Sequence, residues 1–229
     1  MDNLRDLIER SFAQYPDRVA LRVLGEGDTA NQYQPISYAE LRDRRDRLAC
    51  GLASLGLRRG HRIGILTDGG IEPIIVFLAA DLLGLTAVPL CHKTSKEILV
   101  HSISSAGLEM LVVDARGQNQ FEVICSALRH EPRILKVPGT HGQGHSWEEA
   151  QAEGSPPSIK LHAKDESKIL FTSGSSGLPK GVVQTHQNIV ANVQSVWDVI
   201  SLAENFRFFK SAPDYHSMGI LNIYFPLAK

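Results

Sequence analysis

The sequence predicts an α/β protein with a parallel sheet layered with helices. Short apolar runs typical of buried strands recur at residues 62–66, 86–90, 110–114 and 134–137. The stretches between them have the length of helices, and Gly84 and Gly107 end two of these stretches as glycine commonly ends a helix. Strands that alternate with helices in this way favour a parallel sheet covered on both faces.

The elements before this alternation are predicted from local patterns. Apolar residues at helical spacing predict a helix over residues 4–15. Two short strands at 19–21 and 36–38 flank a polar loop and suggest a hairpin. Ser37 and Glu40 form a capping-box pattern that predicts the start of the next helix.

Within the alternation, helices are predicted over 73–83, from a Thr94–Glu97 capping box to Gly107, and over 121–130. Residues 138–160 are rich in Gly, Pro and polar residues, which predicts a surface connection. We therefore expect a first α/β subdomain at 1–137 and the start of a second at 161–229. In the connection, His141 and His145 are interpreted as solvated rather than as metal ligands, because no further ligand converges on them.

The second part begins with a predicted strand at 169–171, followed by a loop and a resumed strand at 182–183. Thr185 is a candidate cap for a helix over 188–202, on which Trp197 is expected to pack in the core. A strand is predicted at 206–211, and a further apolar element begins at 220.

Composition excludes several classes of protein. The 229 residues carry a net charge of −1 without a long basic tract, so electrostatics give no case for nucleic acid or anionic membranes. No signal peptide is apparent, and charged residues and prolines interrupt the most apolar window, 71–90, so no membrane span is expected. The three scattered cysteines suggest buried thiols in a reducing compartment, which indicates a cytoplasmic protein.

The segment TSGSSGLPKG, residues 172–181, has the chemistry of a polyphosphate site. Its three glycines allow the backbone to approach a ligand, and successive N–H groups in such a loop attract anions. Four hydroxyl side chains and Lys180 add further donors. The alternative of a flexible Gly/Ser linker is disfavoured by the strands on both sides and by the lysine held between Pro179 and Gly181.

Two common nucleotide-binding motifs are absent. A P-loop requires Gly-Lys-Ser/Thr after four intervening residues, whereas Lys180 is followed by glycine. A Rossmann site requires GxGxxG after the early strand, whereas residues 66–73 hold one glycine pair only. An ordinary kinase, NTPase or dinucleotide-binding protein is therefore not predicted.

The segment TSGSSGLPKG resembles the phosphate-binding signature of the adenylate-forming (AMP-binding) superfamily, and the overall motifs are most similar to acyl- and aryl-CoA synthetases. The similarity extends to ISYAEL (36–41), to the strand–helix–strand stretch 62–90 that ends in Val-Pro-Leu, and to PDYHSMG (213–219). It implies the large N-terminal domain of that fold, present here in part, because the family's adenine, ribose and hinge motifs and its catalytic lysine lie further along than residue 229. We accordingly expect a missing C-terminal portion and an inactive 229-residue chain.

The resemblance also implies a reaction. ATP activates a carboxylic acid as an acyl adenylate, and a thiol of CoA or of the phosphopantetheine on an acyl carrier protein then accepts the acyl group. Site residues carried over from the family as β- and γ-phosphate ligands are Thr172, Ser173, Gly174, Ser175, Ser176, Gly177 and Lys180. Thr172 is also expected to contact Mg²⁺. The expected catalytic residues are His216, beside the reacting carboxylate, and Lys180, as a mobile charge.

The substrate class is suggested by the residue after Tyr215. Amino-acid-activating relatives commonly place an aspartate there, whereas this chain has His216, and Asp214 is out of register. A fatty, aryl or other non-amino acid is therefore favoured over the substrate of a peptide-synthetase adenylation domain. A truncated, non-catalytic module that binds a nucleotide or a partner remains an alternative.

Overall fold

The computed structural model describes residues 3–24, 32–172, 177–200 and 206–228. The helices are α1 (Leu4–Gln14), α2 (Tyr38–Ser54), α3 (Glu72–Leu83), α4 (Lys96–Ala106), α5 (Ala115–Ile124), α6 (His186–Val199) and α7 (Ser217–Leu227). The strands are β1 (Val19–Leu24), β2 (Tyr33–Ser37), β3 (Arg62–Leu66), β4 (Thr86–Pro89), β5 (Met110–Val113), β6 (Arg133–Lys136), β7 (Glu166–Thr172) and β8 (Lys180–Thr185).

Six of the strands form one sheet in the order β6-β5-β3-β4-β7-β8. All neighbours in it are parallel except β8, which runs antiparallel to β7. β1 and β2 form a separate antiparallel pair, as expected from the hairpin pattern. The predicted α/β fold with a parallel-rich sheet is confirmed.

The sheet has an apolar layer on each face. One layer includes α1, α2, α3 and α7, and the other includes α4 and α5. Adjacent residues of β7 pack in opposite layers: Leu170 belongs to the first layer and Ile169 to the second. This is the alternation that a strand buried on both faces requires.

Two of the predicted helix starts are wrong. Ser95 rather than Thr94 caps α4, and its hydroxyl accepts a hydrogen bond from the Ile98 N–H. The helix placed over 121–130 begins at Ala115, because the Asp114 carboxylate accepts from the Gly117 N–H and caps the helix there. The predicted caps at Ser37 and Thr185 are confirmed.

The strand predicted at 206–211 is also wrong. These residues are irregular, and no strand of the described part of the chain pairs with them. The aromatic side chains of this segment instead pack against α7, because the ring centroids of Phe206 and Phe208 lie 5.8 and 5.9 Å from that of Phe225. Of the three thiols expected to be buried, only Cys50 is, while Cys91 and Cys125 are half-buried.

The 138–160 connection is irregular, and β7 beyond it joins the sheet beside β4. The division into subdomains on either side of it stays a prediction. Trp197 packs on the core as expected, and its indole N–H donates to the Phe225 carbonyl at 3.2 Å. Among the described residues, no helix is both long and apolar enough to cross a membrane.

Candidate phosphate and acid site

The predicted phosphate loop connects two paired strands. Thr172, the last residue of β7, lies opposite Lys180, the first residue of β8. The Thr172 hydroxyl donates to the Lys180 carbonyl at 3.3 Å, which closes the base of the loop. The loop is thus the tip of an antiparallel hairpin, and its ends are held close together.

The far side of the loop has a backbone shape that favours glycine. Gly177 has a φ of 125° and nothing within 4 Å of where a Cβ would lie. Two residues on, Pro179 is buried, and its carbonyl accepts a 3.0 Å hydrogen bond from His101 Nε2 on α4. The loop therefore has open space around Gly177, while Pro179 is held in place by its hydrogen bond to α4.

The two predicted side-chain ligands at the base of the loop are accessible. Thr172 and Lys180 are exposed, and Lys180 has no ion-pair partner within the described ranges. Ser173, Gly174, Ser175 and Ser176, the other predicted phosphate ligands, lie outside the described residues. The described part of the loop therefore presents the Lys180 ammonium without an ion-pair partner, and beside it the exposed Thr172 hydroxyl, whose proton is donated to the Lys180 carbonyl.

His216 lies at the start of α7, as its N-cap residue. Its side chain is exposed, and its ring centroid is 4.8 Å from that of Tyr215. Gly219 in the first turn packs so closely that an added Cβ would lie 1.9 Å from the Pro213 carbonyl oxygen. That contact gives a steric reason for glycine in the PDYHSMG segment, since any side chain would push α7 off the preceding turn.

The loop and the histidine segment belong to the same edge of the sheet. β7 is parallel to β3 and β4, so Thr172 lies at the edge where those strands also end. At this edge a cavity of about 230 Å³ is lined by residues at and just after the ends of β3 and β4 and by residues 210–215. The carboxyl edge of such a sheet is where ligands of α/β proteins usually bind.

The two acidic side chains that line this cavity, Asp68 and Asp214, lie beside basic partners. Asp68 lies 3.0 Å from Nε2 of the buried His92 and 2.6 Å from Arg116. Asp214 forms a 2.7 Å ion pair with Lys210. Burial raises the pKa of Asp214, and the Lys210 ammonium opposes that rise.

The Tyr215 hydroxyl is also engaged. A hydrogen bond with Cys91, together with partial burial, raises the pKa of Tyr215. The tyrosine therefore stays protonated at neutral pH, and its ring is anchored beside His216.

The sequence matches the AMP-binding enzyme family over residues 8–229. The chain belongs to this family. Acyl-CoA ligase sidI of Aspergillus fumigatus is 28% identical over 204 residues, which cover 81% of this chain and 35% of that protein. A feruloyl-CoA synthase of an Amycolatopsis species is 28% identical over 185 residues, with the same shares of the two chains covered.

The structure of this chain is similar to solved structures of related fold. The N-terminal domain of FACL13 from Mycobacterium tuberculosis superposes with a TM-score of 0.82 at 22% identity, over 100% of this chain and 55% of that chain. The chain spans about a third of the length of the curated relatives it matches.

A magnesium ion bound with ATP would fit the described part of the site. Magnesium prefers oxygen ligands and usually keeps several waters while it binds substrate phosphates. The described residues of this AMP-binding chain contain no cluster of three potential acidic, histidine or cysteine ligands, so this part of the chain provides no all-protein cage for the ion. The exposed hydroxyl of Thr172 suits an ion held mainly by phosphate oxygens.

Two contacts of the site were not predicted. The spacing of Lys210 and Asp214 is that of an i,i+4 pair, but the segment was interpreted as a strand and then a loop, so the pair was missed. The anchoring of Pro179 by His101 joins residues distant in the chain, and no local pattern indicates it.

Proposed function

We propose that this chain provides the ATP-phosphate site and part of the acid site of an ATP-dependent acid–thiol ligase. The observation that carries the proposal is the hairpin loop at Thr172–Lys180 on the same sheet edge as the Tyr215–His216 segment. The names of the relatives, an acyl-CoA ligase and a feruloyl-CoA synthase, support the same reaction class.

In the proposed reaction, an oxygen of the substrate carboxylate attacks the α-phosphorus of ATP. The bond from that phosphorus to the bridging oxygen of pyrophosphate breaks, and acyl-AMP forms. The thiol of CoA, or of the phosphopantetheine on an acyl carrier protein, then attacks the acyl carbon and releases AMP. Charge builds up on the leaving pyrophosphate in the first step, and donors aimed at it lower the barrier.

The residues of the loop would supply those donors. The Lys180 ammonium and the loop N–H groups would hold the β- and γ-phosphates, with Mg²⁺ neutralising part of their charge. The Thr172 hydroxyl would join them by turning its proton from the Lys180 carbonyl to a phosphate oxygen. We expect the contribution of Lys180 to be partial, because the backbone donors share the load. Gly177 would keep the approach to the loop backbone open.

His216 would act on the acid side. As an exposed residue at the N-terminus of α7, it can donate a hydrogen bond to the substrate carboxylate without breaking an internal one. The ring of Tyr215, tilted by 55° against the imidazole at 4.8 Å, would limit its rotation. We infer a non-amino acid substrate, because the carboxylate of Asp214 is already paired with Lys210 and would not be free to bind a substrate amine.

The test is ATP–pyrophosphate exchange by the full-length natural protein with a panel of fatty, aryl and amino acids. We expect exchange with a fatty or aryl acid, and a loss of about a hundredfold in His216→Ala, the usual cost of one donor at a reacting oxygen. His130→Ala, at an exposed site on another part of the chain, is the control. Exchange with amino acids only would overturn the substrate class, and full exchange by His216→Ala would overturn the role of the histidine.

A further inference from the structure

A fully buried polar cluster lies beneath the sheet on the side of α3 and α7. The Lys168 ammonium on β7 is 2.7 Å from Asp81 Oδ1 on α3, and neither residue is more than 2% exposed. The Ser167 hydroxyl donates to the same carboxylate oxygen at 3.1 Å. The hydroxyl of Tyr224 on α7, which has no exposed surface, donates to Asp81 Oδ2.

The surroundings act in opposite ways on the protons of Lys168 and Tyr224. Burial lowers the pKa of Lys168, and the Asp81 carboxylate opposes this; the ammonium also lies 5.7 and 5.3 Å from the ring centres of Phe77 and Tyr224. Burial and the neighbouring carboxylate raise the pKa of Tyr224 well above its ordinary value, so its hydroxyl keeps the proton that it donates.

The cluster joins the elements that carry the two halves of the site. Lys168 belongs to β7, which ends at Thr172 where the phosphate loop opens. Tyr224 lies about two turns along the helix that begins after His216. Asp81 lies between them on α3, a helix buried along nearly its whole length.

A buried ion pair of this kind needs a reason beyond stability. Replacing such a pair with apolar side chains is often neutral or stabilising, because charges lose their hydration on burial. What directional contacts add, and apolar packing does not, is one fixed distance and orientation between elements. Each partner of Asp81 approaches from a specified strand or helix, so the carboxylate defines how β7 and α7 sit against α3.

We propose that Asp81, Lys168 and Tyr224 form a positioning network that couples the strand entering the phosphate loop to the helix that begins at His216. None of the three is more than 2% exposed, so they would act through the elements that carry them and not by contact with the reacting groups. The role of the network in catalysis rests on the proposed function, because it concerns the relative positions of the phosphate loop and of His216. The physical coupling between β7 and α7 can be measured without it.

The experiment is amide hydrogen exchange on the 229-residue chain, comparing Tyr224→Phe with Tyr38→Phe. Each change removes one buried tyrosine hydroxyl that forms a hydrogen bond involving α7. The Tyr224 hydroxyl is on α7 itself, and the Tyr38 hydroxyl donates to the Leu227 carbonyl of α7 at 3.2 Å. Only Tyr224→Phe breaks the connection to Asp81 and β7. We expect amides of residues 168–172 to exchange about tenfold faster in Tyr224→Phe and at the wild-type rate in Tyr38→Phe.

Ser167→Ala tests the coupling from the other end. It removes a β7 contact to Asp81 without touching α7, and coupling between two sites is reciprocal. We expect faster exchange at residues 220–225, whose amides are hydrogen-bonded within α7, with exchange in α5 unchanged. A uniform increase over the chain, or an increase confined to the element that carries the substitution, would overturn the proposal.

Binding of Mg²⁺-tripolyphosphate separates this inference from the proposed function. The network predicts weaker binding in Tyr224→Phe than in Tyr38→Phe. Absence of binding in the wild type would contradict the phosphate site, while the exchange result on β7 and α7 would still decide whether the network couples them.

Discussion

The parallel strands β3–β5 and the antiparallel hairpin β7–β8 belong to one sheet but are stabilised in different ways. Every residue of β4 and β5 is buried, and these strands expose no charge to the core. β7 buries Lys168 among its apolar residues, and on β8 the side chains of Val182 and Val183 are each 46% exposed. One half depends on distributed apolar packing alone, and the other combines apolar packing at Ile169 and Leu170 with one specific ionic contact and an open edge.

The difference fits the tasks of the two halves. Distributed apolar packing makes a rigid base, because many small contacts share the load. A hairpin that presents a loop to a ligand needs an accessible tip and a precise anchor. The predictions below alter one feature at a time, beginning with the anchor.

The largest effect is expected from Asp81→Asn. The substitution keeps the shape of the side chain but leaves the Lys168 ammonium buried without a counter-charge. Breaking a buried pair from one side typically costs about 3–5 kcal/mol. Urea unfolding should show this loss, whereas Asp43→Asn, which breaks the exposed pair with Arg47, should cost under about 1 kcal/mol. Equal losses in the two variants would contradict the importance of the anchor.

A smaller effect is expected from filling a close contact of the base. In Gly117→Ala on α5, the new Cβ would lie 2.2 Å from the Leu66 carbonyl oxygen of β3. The backbone must move apart, at a cost of about 1–3 kcal/mol. In Gly181→Ala on β8 the nearest atom is a methyl of Ile169 at 2.9 Å, which can shift. We expect thermal unfolding to rank Gly117→Ala as the less stable protein; the opposite order would contradict the comparison.

Acid should weaken the junction between the hairpin and α6. His186 is fully buried at the start of α6, and its Nδ1 accepts from the Leu4 N–H at 3.4 Å. Burial lowers its pKa below 6.5, and the charged groups that influence it are Asp81, Lys168, Asp165 and Arg5. The unfolded chain therefore binds the proton more readily, and the stability present above about pH 6.5 is lost as pH falls through the folded pKa.

The slope in that window should reach at most about 1.4 kcal/mol per pH unit. Unfolding measured between pH 5 and 7 should become less dependent on pH in His186→Asn, while the exposed His130→Asn should keep the wild-type slope. An unchanged slope in His186→Asn would mean that other groups set the acid sensitivity.

The smallest effect concerns the helix cap after β8. Thr185 forms a capping box with Asn188, so Thr185→Ala should cost about 1 kcal/mol in thermal unfolding. Ser195→Ala on the same helix removes only a 2.9 Å bond to the Ala191 carbonyl, which helices tolerate losing. A Thr185→Ala protein as stable as Ser195→Ala would show that the cap contributes nothing.

The parts of the fold that could be predicted are those specified locally. The apolar runs of β3–β6 and the cap at Thr185 depend on neighbours in sequence, and both were predicted. The antiparallel direction of β8 was not, because a strand pattern does not encode the direction of its partner. The 206–211 segment was mistaken for a strand because an apolar run packs equally well as an irregular segment against Phe225.

The same distinction applies to the site. The phosphate loop was recognisable from consecutive residues, whereas the pair of Asp81 and Lys168 joins residues far apart and was not indicated by any local pattern. Lys168 alone reads as an ordinary charged residue before an apolar run. Its burial follows only from the topology that places β7 against α3 and α7.

The most direct test of the central claim is calorimetric binding of Mg²⁺-tripolyphosphate to the 229-residue chain at fixed ionic strength. Gly177→Val should weaken binding at least tenfold, because a branched side chain at a φ of 125° distorts the loop. Gly154→Val is the matched control, since Gly154 has a φ of 127° and equally open surroundings in the 138–160 connection. Binding retained in wild type and Gly154→Val but lost in Gly177→Val is the predicted result. Equal binding by all three proteins, or none by the wild type, would contradict the phosphate site.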